Sequence, residues 1–239
     1  MQNRNIVFLL FLSILSVFNI QPANSQVRLN LNSSITSRHY WRGIMVSNSV
    51  NYEGDLVLTA KNFSVGAWGG YAFDNSYSEF DFHVDYRVSD HFSISIWDLY
   101  ASRDRSSIDQ YNYFDFDRKA TNHLIDASMC YSFGQKFPLS VSWSTLIWGR
   151  DLDEHGDQNY SSYMELAYPI QVDAMHVQLF AGLNVFENSV YGEHTNIVNM
   201  GLTVTKQIDI NEKLQIPVWA TVALNPEAQI ANLIVGIKL

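Results

Sequence analysis

The sequence contains one cysteine, Cys130, among 239 residues. A single thiol excludes an intramolecular disulfide and any metal site built from several cysteines. Long apolar runs are also scarce: Ile6 to Phe18, interrupted by Ser13 and Ser16, is the only extended one. No later segment approaches the roughly 18 apolar residues that a membrane-spanning helix needs. Basic residues are few, 15 Lys and Arg against 24 Asp and Glu for a formal charge of −9. That balance disfavours nucleic acid, whose binding rests on clustered Lys and Arg. No Gly-x-Ser-x-Gly nucleophile motif occurs, and no Pro/Gly/Ser-rich stretch divides the chain into domains. Helical periodicity is absent after the first 25 residues. What remains is a chain that is 47% hydrophobic yet has a mean hydropathy of −0.09, as expected when apolar and polar residues interleave.

The N-terminus reads as a secretory signal. Arg4 supplies a basic start, Ile6–Phe18 the apolar centre, and Ala23-Asn24-Ser25 a small-x-small cleavage site. The expected division is therefore a signal peptide over 1–25 and one domain over 26–239. No cysteine stands at the cleavage point, which argues against a lipidated N-terminus.

Residues 79–88 alternate without exception between charged or ionisable and apolar side chains. Successive strand side chains point to opposite faces, so Phe80, Phe82, Val84, Tyr86 and Val88 share one face. Glu79, Asp81, His83, Asp85 and Arg87 share the other. Weaker versions of this pattern recur, and twelve strands can be drawn over 27–43, 50–60, 63–73, 78–88, 91–100, 121–132, 137–148, 160–168, 174–186, 195–206, 213–223 and 229–239. The connections alternate between short turns and longer polar loops. An all-β fold is expected: a transmembrane antiparallel up-and-down β-barrel of about twelve strands, short turns and both termini on the periplasmic side, in the outer membrane of a Gram-negative bacterium. Aromatics near strand ends, among them Trp41, Trp68 and Trp97, suit interfacial girdles. The apolar alternation that ends the chain at Leu239 fits the terminal insertion signal read by the barrel-assembly machinery. Outer-membrane lipids and small solutes or ions are then the expected partners, with no cofactor and no nucleic acid.

Ser37-Arg38-His39-Tyr40-Trp41-Arg42-Gly43 resembles the Ser-x-Tyr-x-aromatic-Arg-Gly signature of a bacterial family of TorF-type outer-membrane porins, with His39 in place of the usual Tyr. Val65-Gly66-Ala67-Trp68-Gly69, Glu79-Phe80-Asp81 with Tyr86, and Asn225-Pro226-Glu227 resemble later segments of that family. The resemblance covers essentially the whole domain. It implies an outer-membrane barrel whose cargo is largely uncharacterised.

The charged face supplies the site candidates. If Leu29, Leu31, Ile35 and Trp41 face lipid, then Arg38 and Arg42 face inward beside Glu79, Asp81, His83, Asp85 and Arg87, and alternation adds Asp126 and Glu165. The reverse register would place three arginines toward lipid at about 2–4 kcal/mol each near the midplane. These residues either line a pore that sets solute preference or form a ladder of ion pairs that holds a narrow lumen shut. In the longest loop, 101–120, Arg103, Arg105, Tyr111 and Tyr113 are candidates for a constriction or a ligand surface. Asp151–Asp157 is rich in oxygen ligands but lacks calcium-loop spacing, and a solvated acidic loop is the simpler reading. Asp98 shares parity with Phe92, Ile94 and Ile96, which requires a bulge or strand end to bring it to water. No catalytic or metal-binding residue is expected, and the chain reads as a non-enzymatic porin or small passive channel with a polar, mildly acidic lumen. The alternatives are a sealed structural or ligand-binding barrel, a lipid-modifying enzyme and a secreted β-sandwich lectin.

Overall fold

The computed structural model describes residues 27–101, 112–188, 190–211 and 214–239, so the expected signal segment lies outside it. The strands among the described residues are β1 (Val27–Thr36), β2 (His39–Trp41), β3 (Ile44–Ser47), β4 (Asn51–Ala60), β5 (Phe63–Ala72), β6 (Ser78–Arg87), β7 (Phe92–Tyr100), β8 (His123–Ser132), β9 (Ser140–Gly149), β10 (Ser162–Val172), β11 (Met175–Asn184), β12 (Asn196–Asn211), β13 (Leu214–Asn225) and β14 (Ile230–Lys238). Twelve of them close an antiparallel barrel in which β14 returns to β1, while β2 and β3 form a separate two-stranded sheet. No helix among the described residues is long and apolar enough to cross a membrane.

The alternation in the sequence becomes an inside and an outside. On β6, Phe80, Phe82, Val84 and Tyr86 are each more than 40% exposed, while Asp81 and His83 are 2% and 5% exposed. On β1, Leu29 and Leu31 point out at 66% and 65%. A soluble domain buries such residues; here the wall presents them outward and keeps carboxylates within. Short turns join β4 to β5 and β10 to β11 at one end, and the longer loops leave the other.

Three features depart from the sequence-based strand assignments. The first strand ends at Thr36, seven residues before the expected end at 43. Residues 37–50 leave the wall and make the β2–β3 hairpin instead. The reason is local. Arg42 and Gly43 both take positive φ, 48° and 89°, and Trp41 pairs with Ile44 across them, which is the two-residue primed turn that reverses a strand. Second, β10 runs on through Pro169 to Val172, where the sequence had marked a turn. Its pairing with β9 ends at Ala167, and proline is tolerated where a strand has lost one neighbour. Third, the β8–β9 pairing has a bulge between Ile125 and Asp126, with Ile147 as the extra residue; before it Leu146 keeps step with Ser144, inward and fully buried, and Ile147 points out. The seam between β1 and β14 is short. Only Ser34, Ile35 and Thr36 pair with β14, whereas all ten residues of β1 pair with β4.

Candidate functional site

The hairpin crosses the barrel interior. Its tip rests on β12, where a side-chain carbon at position 43 would come within 2.3 Å of the Val198 carbonyl oxygen; glycine is therefore required by both the turn and the contact. Asn225 on β13 donates to the Gly43 carbonyl at 3.2 Å. Trp41, Ile44 and Val190 pack on Tyr163, Tyr191 and Val198, the one cluster of buried apolar side chains described inside the barrel.

Arg42 is the centre of this arrangement. Its Nη2 donates to Asp126 Oδ2 at 2.6 Å and to Ser144 Oγ at 2.8 Å, and its Nη1 donates to Tyr191 Oη at 2.8 Å. The guanidinium also lies over the Trp41 ring, 4.7 Å from its centroid, with Tyr163 at 5.6 Å. These contacts link the first connection of the chain to β8, β9, β10 and the β11–β12 loop. Burial raises the Tyr191 pKa to about 12 against the pull of Arg42, so its hydroxyl stays protonated at neutral pH. A non-glycine residue at positive φ costs about 1–2 kcal/mol, which these bonds offset.

The hairpin divides the interior into two cavities. The larger, about 490 Å³, lies toward β5–β9 and is lined by Trp41, Trp68, Trp97, Glu79, Asp81, Asp126 and serines of β7–β9, among others. The smaller, about 330 Å³, lies toward β11–β14 and includes Arg38, Tyr40, Gln178, Asn199 and Thr221. His39, Arg42, Glu53 and Glu165 border both. His39 donates to Glu53 at 2.8 Å and stacks on Tyr77. Tyr163 donates to Glu165 at 2.5 Å, and Asn199 donates to the Tyr163 hydroxyl at 3.0 Å.

On β6, Tyr77 donates to Glu79, and Asp81 accepts from the Tyr100 backbone N–H at 2.9 Å. His83 donates to either Asp85 (2.6 Å) or Asp55 (3.0 Å), or to both when doubly protonated. Its ring stacks on Trp97 at 4.1 Å above Gly66, where a side chain would collide with it. Arg87 sits exposed at the short-turn end, with Asn62 Oδ1 at 3.5 Å.

Several expectations are corrected. Arg38 and Arg42 do lie inside, but on the hairpin and not on a wall strand. Trp41 faces the interior cluster and not lipid, because the turn at Arg42-Gly43 carries it off the barrel surface. Trp68 and Trp97 line the larger cavity, so neither belongs to an outer girdle. Tyr113 does not narrow the lumen. Its ring lies over the outer wall against Tyr100 and Phe82, and its carbonyl accepts from His123 Nε2 at 2.7 Å. Asp98 needs no bulge: it stays on the outer face and accepts from His123 Nδ1 at 2.7 Å, under the flap formed by Tyr113 and Phe116. Arg103, Arg105 and Tyr111 lie outside the described residues. In the acidic loop Asp151 accepts from Ser161 and Asp153 from the backbone of His155 and Asp157. Among the described residues no group of three or more His, Cys, Asp or Glu could hold a metal ion. Glu53, Asp55 and His39 are inward groups that the sequence reading missed. The alternation of Asn51, Glu53 and Asp55 with Tyr52 and Leu56 carried the signal for the two carboxylates.

No family model and no curated protein matches the chain. Among solved structures it is similar to a triple mutant of the Rhodopseudomonas blastica porin, with a TM-score of 0.39 and 10% identity over 79% of this chain. A second triple mutant of the same porin gives 0.37, also at 10% identity over 79% of the chain. The chain spans 55% of the length of those porins.

Proposed function

We propose that this protein is an outer-membrane barrel that passes small solutes or ions by diffusion, with the β2–β3 hairpin as its constriction. The apolar exterior supports residence in lipid. Exposed apolar patches larger than a few hundred Å² are rare on soluble monomers, and closure of the barrel satisfies the backbone groups that hydrocarbon would leave unpaired. The observation that carries the channel reading is the pair of polar cavities meeting at His39, Arg42, Glu53 and Glu165. Inward carboxylates outnumber inward arginines, so cations are the favoured traffic. The resemblance to TorF-type porins agrees with this reading, and on it both termini face the periplasm.

A sealed barrel is the second reading, and the dense bonding of Arg42 favours it. Planar-bilayer conductance of the refolded protein separates the two. Reproducible current steps are expected, and electrical silence from protein that shows a heat-modifiable gel shift would leave the sealed barrel. Absence of the gel shift in correctly exported protein would remove both.

A further inference from the structure

Five carboxylates border the larger cavity, Glu53, Glu79, Asp81, Asp126 and Glu165, against Arg42 and His39 as its only basic groups. Asp126 pairs with Arg42 and Glu53 with His39. Among the described residues, no basic side chain lies within ion-pair distance of Glu79 or Asp81, which stand two positions apart on the same inward face of β6. A second observation points the same way. Asp126 is 2% exposed, Arg42 takes its Oδ2, and its Oδ1 is buried without a hydrogen-bond partner. Buried acceptors are normally satisfied, so this carboxylate adds negative charge to the cavity wall that the single Arg42 contact meets from one side only.

The other walls define which cation fits. Trp41, Trp68 and Trp97 line the same space, and aromatic faces attract cations, most strongly when the site is desolvated. A metal ion instead needs a compact shell of oxygens at about 2.3–2.6 Å, and the described residues hold no such cluster. A volume of about 490 Å³ falls in the range that holds a small organic molecule.

We infer that the larger cavity binds an organic cation, an amine or guanidine carried on an apolar or aromatic body. The N–H groups meet the Glu79–Asp81 pair, and the body lies against the tryptophans. This inference rests on reading the interior as a solute path and names the class of solute it selects.

Isothermal titration of the refolded full-length protein in detergent, corrected for micelles alone, tests it with benzylamine and its neutral counterpart benzyl alcohol. Saturable benzylamine binding is expected, with benzyl alcohol at least tenfold weaker. Glu79→Gln combined with Asp81→Asn keeps the shapes and is expected to weaken benzylamine at least tenfold. Glu154→Gln, on the exposed outer loop, is expected to leave it unchanged. Equal affinity for amine and alcohol, no saturable amine binding, or an undiminished affinity in the double variant overturns the inference. The amine–alcohol comparison on the unaltered protein decides even if the double variant fails to fold. Conductance is read separately. Amine binding by an electrically silent barrel would keep the site and remove the channel, whereas conductance without amine binding would do the reverse.

Discussion

Arg42 is held by hydrogen bonds to three separate elements and a ring contact from a fourth, and the energetic question is which of them its removal exposes. Its partner Asp126 has a side chain only 3% exposed, so the loss of the guanidinium strands a buried carboxylate. Breaking a buried pair from one side costs about 3–5 kcal/mol, while replacing both members with apolar groups is often close to neutral. Arg42→Ala is therefore expected to lower the thermal midpoint of the gel shift and to raise conductance. Arg42→Met combined with Asp126→Leu is expected to recover most of the midpoint. A midpoint unmoved by Arg42→Ala would show that the pair does not hold the hairpin down. At this scale alternation was informative wherever a strand is straight: the inward placement of Asp81 and His83 follows from parity alone. It misled at Trp41, because parity has no meaning past a turn. At Asp98 parity was right, and of the two routes to water only the bulge is absent, for the residue lies two positions before the end of β7. The carboxylate does face outward, and His123 with a covering loop makes that tolerable, a contact between residues 25 apart that no local pattern reveals.

The hairpin is the element on which sequence and structure diverge most. An expected strand over 27–43 is much longer than the 9–11 residues that suffice to cross a bilayer, and Arg42-Gly43 between Trp41 and Ile44 is a reversal signal. Both clues were present, but the alternation of Val27, Leu29 and Leu31, resumed in phase at Ile35 and Trp41, hid them. Which face of the barrel the hairpin would join was not legible. That depends on Tyr191, Val198 and Asn225, which meet the tip only after the wall has curved round. The remaining strands and the alternation of short and long connections were readable, since an apolar outer face and a polar inner face impose a period of two along every strand. If the hairpin is the constriction, replacing residues 38–48 with a short glycine-containing turn between β1 and β4 should leave a heat-modifiable barrel with several-fold larger conductance. Unchanged conductance in a folded protein would place the narrowest point elsewhere.

For the whole molecule, the balance of charge inside the wall should set the sign of selectivity. Screening at physiological salt acts over about 8 Å, so on the proposed path an ion passing the carboxylates that border the larger cavity would remain within their reach. Reversal potentials in a salt gradient are expected to show cation preference, reduced when Glu79, Asp81 and Asp85 are replaced together by Gln, Asn and Asn. Retained preference in that triple variant would assign selectivity to other groups. The short seam has a further consequence, for the order of folding. Joining the first strand to the last closes a loop of nearly the entire chain, the slowest kind of contact to form, and three residue pairs offer little to offset it. The hairpin continues directly from the first strand, and its tip is held by Tyr191, Val198 and Asn225 near the other end of the sequence. Docking it would bring the beginning of the chain to its end from the inside, before the two edges meet. Refolding of Arg42→Ala into lipid vesicles should then slow by more than unfolding accelerates, which would make this segment a tether for closure as well as an obstruction in the finished barrel.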